Sequence, residues 1–372
     1  MVRPGPSELT FRGLPAGLDT PRVVVDRARM EANIQALQRR LDARGVALRP
    51  HAKTHKSIRI GRMQLEAGAR GLTVGTLGEA EVFVTAGITD LFIAYPVRAD
   101  GPKAARLRAL HEAAPGLRVG VDSAASAERL AAAVAGTLTR LAVVIEIDAG
   151  TVRTGVDSAE AAVGVARAAR RAGLDVAGVF TFGGHAYLPG AAARAGADEV
   201  RLATESAAAL EAGGFEVRVV SAGSTPTMLT AATGRVTEIR AGTYVFGDRI
   251  EHDLGAIEAD GCAVAVAATV VAEFPDRLII DGGGKTLTKD RPDWLEGFGA
   301  ISGYPEVRIE RLSDYHGVVH APAGVERPAL GEVVAVIPNH VCPVIDVVDQ
   351  LAVVNRDGSV EEWPVDARGR SG

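Results

Sequence analysis

The run L-R-P-H-A-K-T-H-K-S at residues 48–57 combines more reactive side chains than any other stretch, with Lys53 between His51 and His55. Amphipathic patterns precede and follow it, so we predict the end of a strand and the loop after it. Loops at this end of the strands carry the chemistry of (β/α)₈ barrels. A desolvated lysine there loses its proton and can form a Schiff base with a carbonyl cofactor. The alternative is an exposed, solvated cationic loop.

A second candidate site is the run S-A-G-S-T-P-T at residues 221–227, which ends the seventh predicted strand. Barrels often bind phosphate after strands seven and eight, through a glycine-containing turn and a helix N-terminus. Gly223 would allow close backbone approach, and the hydroxyls of Ser224 and Thr225 could donate hydrogen bonds. Tyr244, after the eighth strand, could donate to the same phosphate. An ordinary capping turn and a packing tyrosine are the alternatives.

Two more strand ends carry polar side chains. Strand five leads into D-A-G-T-V-R-T-G-V, where Arg153 could contact an anionic or phenolic oxygen of a cofactor. Strand six ends in T-F-G-G-H-A-Y, whose glycines would let the rings of His185 and Tyr187 approach a central ligand. A surface arginine near an aspartate and a structural His–Tyr pair are the alternatives.

A possible metal site lies near the C-terminus, where P-N-H-V-C-P places His340 and Cys342 two residues apart. On an extended segment such residues point the same way, so imidazole and thiolate could bind one cation. Two ligands suit an open catalytic site, where water and substrate complete the coordination.

The elements that would position these residues follow a regular pattern up to residue 246. Eight apolar runs without strict alternation alternate with helical patterns, as expected for strands buried on both faces. They are residues 46–51, 71–74, 91–95, 117–121, 141–147, 175–180, 216–221 and 237–240. This order predicts a (β/α)₈ TIM barrel, with an open doubly wound sheet as the second possibility.

After Gly247 the pattern changes to strand-like runs at residues 262–272, 277–280, 331–337 and 346–354, separated by Gly, Pro and Asp. We therefore predict an α/β protein with a second, mostly β C-terminal domain. Residues 22–250 would form the barrel, and residues 1–21 plus 251–372 would form the β domain that carries the metal pair.

Bulk composition excludes several functions. The net charge of −5 has no basic block, which argues against a nucleic-acid partner or a membrane surface. Two cysteines are too few for a disulfide framework and favour a reducing compartment. The N-terminus has no signal-peptide pattern, and the longest apolar run is too short to span a bilayer. These features predict a cytoplasmic protein.

Together the motifs resemble the D-threonine aldolase and D-serine dehydratase family, fold-type III pyridoxal phosphate enzymes related to alanine racemase. The resemblance spans nearly the whole chain, from L-D-T-P at residues 18–21 to H-G at residues 316–317 and P-N-H-V-C-P. R-A-G-T-Y-V-F-G-D, at residues 240–248, lies between them. The lysine motif and the His-x-Cys motif, in this order, are its specific part.

The resemblance implies that Lys53 carries pyridoxal phosphate (PLP) and that Arg153 contacts the cofactor near its ring. It also implies that the phosphate is bound by Gly223, Ser224, Thr225 and Tyr244. His340 and Cys342 would bind a divalent metal, Zn²⁺ or Mn²⁺, and a thiolate ligand suits Zn²⁺ better. From their positions at strand ends we also expect His185 to be a catalytic residue and His51 and Tyr187 to contact the cofactor. Homodimers are usual in this family, which would allow a shared active site.

The implied function is a lyase acting on D-3-hydroxy amino acids. The favoured reaction is that of D-threonine aldolase, retro-aldol cleavage to glycine and an aldehyde. The alternative is a D-serine or 3-hydroxyaspartate dehydratase, which releases a keto acid. A non-catalytic PLP carrier would resemble the barrel alone, and an amino acid racemase needs a second base on the opposite face of the cofactor.

Overall fold

The structure, a computed structural model, describes residues 9–372. The predictions for residues 1–8, including the signal-peptide prediction, lie outside the described residues. Contacts divide the chain into two compact units. The barrel unit comprises Leu37–Lys53, Ile58–Gly242 and Gly369–Gly372. The β unit comprises residues 9–36, Thr54–Ser57 and Thr243–Arg368.

The strands are β1 (Arg22–Asp26), β2 (Ala47–Leu48), β3 (Leu72–Val74), β4 (Leu91–Pro96), β5 (Arg118–Val121), β6 (Ala142–Asp148), β7 (Asp175–Phe182), β8 (Val219–Ala222), β9 (Glu238–Ile239), β10 (Val264–Glu273), β11 (Arg277–Ile280), β12 (Ala300–Ile301), β13 (Arg308–Leu312), β14 (Gly317–His320), β15 (Val333–Ile337), β16 (Gln350–Val354) and β17 (Val360–Pro364). The α-helices are α1 (Arg27–Asp42), α2 (Ile58–Glu66), α3 (Leu77–Thr85), α4 (Pro102–Ala113), α5 (Ala124–Ala133), α6 (Ala159–Arg171), α7 (Ala192–Ala212), α8 (Arg249–Asp253), α9 (Gly284–Leu287) and α10 (Val341–Asp346). Short 3₁₀ helices occur at Ala52–Thr54, Gly184–Tyr187 and Thr243–Val245. Within residues 9–372, none of the helices has the length and apolarity that a membrane span requires.

The barrel unit contains one parallel sheet in the order β2-β9-β8-β7-β6-β5-β4-β3. A parallel bridge between His51 and Thr73 joins the two ends of this order and closes the sheet. All eight strands overlap the predicted runs, so the predicted TIM barrel is confirmed. The runs lack alternation because helices cover the outer face while apolar side chains such as Phe92, Val144 and Phe180 fill the interior.

The β unit contains a sheet in the order β13-β14-β11-β10-β1-β16-β17, with β15 paired to β10 and β12. The predicted second, mostly β domain is therefore confirmed as a fold element. Its core includes Leu9 and Phe11, so the segment before β1 packs in this unit. In the last predicted run, residue 346 instead ends helix α10, and strand β16 begins at Gln350.

The two units begin and end at other residues than the predicted domains. Strand β1 pairs with β10 and β16, so Arg22–Asp26 contributes to the β sheet and not to the barrel. The β unit also starts at Thr243, before residue 251. The division into residues 22–250 and residues 1–21 plus 251–372 stays a prediction about folding domains.

A buried ionic network crosses the barrel interior. The Glu238 carboxylate accepts hydrogen bonds from Arg49 Nε at 3.0 Å and Ser221 Oγ at 2.8 Å. Arg118 lies 3.4 Å from the same carboxylate, and Arg49 also pairs with Asp90 at 2.8 Å. Burial alone would raise the pKa of Glu238, but the two arginines lower it, so this carboxylate is ionised at neutral pH.

We predict that Glu238→Ala destabilises the protein by about 3–5 kcal/mol, because it leaves the fully buried Arg49 without its buried counter-charge and paired with the half-exposed Asp90. The measurement is the urea midpoint of unfolding followed by circular dichroism. Glu205→Ala, which removes an exposed partner of Arg201 on α7, serves as the control and should cost about 0–1 kcal/mol. Equal midpoints for the two variants would show that the network does not stabilise the barrel.

Candidate active site

The predicted cofactor lysine lies just beyond the end of β2. Lys53 occupies the 3₁₀ turn Ala52–Thr54 and is exposed, and its backbone N–H approaches Nδ1 of His51 at 3.4 Å. His51 in turn forms the bridge to Thr73 that closes the barrel. The strand end that the sequence predicted for Lys53 is therefore present.

The other lysine of this run is already engaged. Lys56 is buried, and its ammonium group forms an ion pair with Asp346 at 2.5 Å. Its φ of 50° is unusual for a residue other than glycine, so the surrounding contacts must hold this conformation. Lys53, rather than Lys56, is the amine that a ligand could reach.

The predicted phosphate loop is a fixed turn after β8. Gly223 has a φ of 84°, and a Cβ there would lie 2.8 Å from Ile239 Cδ1, so only glycine fits. Its N–H donates to Glu199 Oε1 at 3.0 Å, and the N–H of Ser224 donates to Thr227 Oγ1 at 2.9 Å. Gly223 therefore makes this turn possible, while its N–H group is already hydrogen-bonded to Glu199.

Tyr244 lies in the 3₁₀ helix Thr243–Val245 and is buried. Thr225, at the phosphate loop, is also buried. By its contacts Tyr244 belongs to the β unit, whereas the Gly223 loop belongs to the barrel unit. Its role at the phosphate stays a prediction.

The loop after β6 is organised by Asp148. One carboxylate oxygen of this residue accepts the N–H groups of Gly150 at 2.9 Å and Thr151 at 2.8 Å. Burial raises the pKa of Asp148, but these hydrogen bonds lower it by more, to below the usual value. Arg153, exposed in this loop, extends over the ring of Phe182 with its guanidinium carbon 5.4 Å from the centroid.

The loop after β7 lies beside it. His185 and Tyr187 share one 3₁₀ helix, and the Tyr187 ring stands 6.3 Å from that of Phe182. Nε2 of His185 contacts Asp198 at 3.3 Å, while its Nδ1 is buried and has no hydrogen-bond partner among the described residues. A Cβ at Gly150 would lie 3.4 Å from that Nδ1. Arg153, His185 and Tyr187 thus share one part of the rim.

The possible metal ligands sit at the start of a helix and not on an extended strand, which corrects the predicted geometry. His340 is the N-cap of α10, and Cys342 lies in its first turn. Cys342 nevertheless lies near enough to His340 to raise the pKa of the imidazole. Sγ of Cys342 lies 3.3 Å from Oγ1 of Thr54, the residue after Lys53.

Two aspartates that the sequence analysis did not select lie beside this pair. Asp290 contacts Nδ1 of His340 at 2.5 Å, and the buried Asp248 accepts the N–H of Val341 at 3.0 Å. Burial lowers the pKa of His340, but Cys342, Asp290 and Asp248 raise it by more, to about 11. Burial raises the pKa of Asp248 to about 6. Asp248 is the last residue of the motif R-A-G-T-Y-V-F-G-D, whereas Asp290 lies in none of the motifs.

The donor set fits an open metal site. Within residues 9–372, no group of three or more His, Cys, Asp or Glu side chains could hold a metal ion. His340 and Cys342 supply two ligands of the types that zinc prefers. Because Asp290 holds Nδ1, the imidazole would present Nε2, as in a carboxylate–histidine–metal arrangement.

Comparison with known proteins covers most of the chain. The family model for the alanine racemase N-terminal domain matches residues 25–250, and a serine dehydratase domain model matches residues 263–354. A D-threonine aldolase from Arthrobacter sp. is 37% identical over 369 residues, covering 96% of this chain and 94% of that protein. The structure of D-threo-3-hydroxyaspartate dehydratase from Delftia sp. HT23 is 34% identical, with a TM-score of 0.87 and coverage of 94% and 97%. The structure of a cysteine-to-alanine variant of D-threo-3-hydroxyaspartate dehydratase, in the metal-free form, has a TM-score of 0.86 with the same identity and coverage.

We predict that an amine-acylating reagent modifies Lys53 faster than Lys56 in protein stripped of any bound aldehyde. The difference should be at least about tenfold, because opening a buried ion pair costs at least about 1.4 kcal/mol. Peptide mass spectrometry after short exposures measures both rates. Asp346→Ala should expose Lys56 and narrow the difference, and faster labelling of Lys56 in the unsubstituted protein would contradict the assignment of Lys53.

Proposed function

The chain belongs to the alanine racemase-like family that includes D-threonine aldolase and D-threo-3-hydroxyaspartate dehydratase, and on this premise we propose a PLP- and metal-dependent lyase of D-3-hydroxy amino acids. One observation carries the proposal. Lys53 is exposed, and the next residue, Thr54, contacts Cys342 of the possible metal pair. The residue that follows the candidate amine along the chain therefore contacts one of the two possible metal ligands.

The residues present suit PLP. Lys53 would bind its aldehyde carbon covalently, and the Gly223–Ser224–Thr225 turn with Tyr244 would bind its phosphate. The positive φ at Gly223 and the lack of space for a Cβ suit a turn built for close approach. His51, Arg153 and Tyr187 would contact the ring and its substituents.

When bound, PLP supplies a sink for the electron pair released at Cα, and the divalent ion supplies a Lewis acid for the substrate β-hydroxyl. Lys53 Nζ would hold or accept a proton near Cα. His185 is oriented by Asp198 at Nε2, so Nδ1 carries the lone pair that can accept the hydroxyl proton.

The two candidate reactions differ in which proton is removed from the substrate. Loss of the hydroxyl proton to His185 breaks the Cα–Cβ bond and gives glycine and an aldehyde, which is the first candidate. Loss of the Cα proton to Lys53 expels hydroxide and leads to a keto acid and ammonia. The second candidate is kept because the dehydratase is about as similar to this chain as the aldolase.

We predict that the PLP-loaded protein cleaves D-threonine to acetaldehyde and glycine and leaves L-threonine unchanged. EDTA should stop turnover, and Zn²⁺ or Mn²⁺ should restore it. His340→Ala and Cys342→Ala should each lower kcat at least about 10²-fold, because metal polarisation of the hydroxyl is worth several kcal/mol. Product analysis with D-threonine, D-serine and 3-hydroxyaspartate, together with metal analysis, provides the measurement.

The control variant is His320→Ala, which removes a histidine of β14 and should retain activity and metal content. Keto acid and ammonia in place of acetaldehyde would identify a dehydratase. Full activity of both ligand variants without metal would refute the metal role, and Lys53→Ala with unchanged turnover would refute the lyase mechanism. A cytoplasmic location and a homodimer remain part of this proposal.

A further inference from the structure

One buried carboxylate connects two neighbouring loops of the barrel rim. Glu199, on α7, is fully buried, and its Oε1 accepts the N–H of Gly183 at 2.9 Å and that of Gly223 at 3.0 Å. Gly183 follows β7 and begins the turn that carries His185, whereas Gly223 follows β8. A single oxygen thus fixes where both strands turn into their loops.

Glycine is required at both residues whose N–H groups bind this carboxylate. A Cβ at Gly183 would lie 3.0 Å from Cγ and Cδ of Glu199, so a larger residue would displace the side chain. At Gly223 a side chain is disfavoured by the φ of 84° and by Ile239. The two glycines therefore allow backbone N–H groups to approach one acceptor closely.

A hydrogen bond inside the phosphate loop fixes its next residue. Thr227 Oγ1 accepts the N–H of Ser224 at 2.9 Å, and Ser224 Oγ lies 3.1 Å from the same oxygen. The Thr227 side chain also lies near enough to Glu199 to lower the pKa of its carboxyl group. Glu199 thus fixes Gly223, and Thr227 fixes Ser224.

We propose that Glu199 is a positioning residue that holds the Gly223–Thr227 turn in its phosphate-binding conformation without itself contacting the phosphate. This inference rests on the proposed function, because it takes the turn to bind the cofactor phosphate. Nothing in the sequence motifs marks Glu199, which lies on a helix 24 residues before Gly223.

The charge of Glu199 is consistent with a position behind an anion site. Burial raises the pKa of Glu199, while its hydrogen bonds and the buried Arg240 lower it, and burial outweighs them. A raised pKa reduces the negative charge that the phosphate would meet. The hydrogen bonds from the two glycines need only an acceptor oxygen, which a neutral carboxyl group or an amide also provides.

The test compares two aldehydes that differ only in the phosphate, PLP and pyridoxal. Their affinities for full-length protein are measured by absorbance titration, beside the thermal midpoint of the unliganded protein. Glu199→Ala should lower the ratio of PLP affinity to pyridoxal affinity at least about tenfold, since misplaced loop donors cannot pair with the phosphate. Glu199→Gln should keep the ratio within about threefold of the unsubstituted protein, because its amide oxygen can accept the same bonds.

Thr227→Val removes the acceptor of the Ser224 N–H but leaves both backbone bonds to Glu199 in place, so it should lower the ratio less than Glu199→Ala. If Glu199→Ala does not fold, Thr227→Val and Glu199→Gln decide the outcome. Glu205→Ala, on the exposed side of the same helix, is the matched control and should leave the ratio unchanged. A loss of affinity that is equal for PLP and pyridoxal would show a merely structural role and overturn the inference. If the unsubstituted protein binds PLP no better than pyridoxal, the proposed phosphate site itself is wrong.

Discussion

The ion pair between Lys56 and Asp346 is the interaction on which the proposed active site depends. The chain passes from the barrel unit to the β unit at the Lys53–Thr54 peptide bond. Immediately afterwards Lys56 pairs with Asp346 at 2.5 Å, and its carbonyl accepts the N–H of Ala367 at 2.9 Å. Asp346 and Cys342 lie on the same helix, α10. The ion pair therefore anchors the segment after Lys53 to the helix that carries a possible metal ligand.

The same arrangement recurs around the other candidate residues. An acidic side chain behind each loop fixes a group that could face the substrate. Asp148 orders the loop of Arg153, Asp198 contacts His185, and Asp290 contacts His340. Carboxylates suit this purpose because each can accept several hydrogen bonds from backbone or side-chain donors at once.

The sequence predicted the barrel well because its strands are continuous apolar runs, a signal that lies within each element. It placed Lys53, Gly223 and His185 at strand ends for the same reason. It gave no indication of Asp290 or Glu199, whose partners lie 50 and 24 residues away along the chain. Such pairs are created by tertiary folding and leave no local pattern.

Two differences between prediction and structure have local causes. Arg22–Asp26 immediately precedes helix α1, whereas its sheet partners, β10 and β16, follow much later in the sequence. The extended geometry expected for P-N-H-V-C-P is wrong, because α10 begins at Val341 and includes the second proline, Pro343. Proline is tolerated near a helix start, where its missing N–H costs no hydrogen bond.

The central claim is that the protein is a lyase that needs both the amine of Lys53 and a divalent metal bound by His340 and Cys342. The most direct measurement is the visible absorption of the cobalt-substituted, PLP-loaded protein during titration with D-threonine. The account predicts that the cobalt bands shift at the same substrate concentration that changes the cofactor band, as the β-hydroxyl enters the metal coordination. A cofactor band that responds while the cobalt bands stay constant would contradict it.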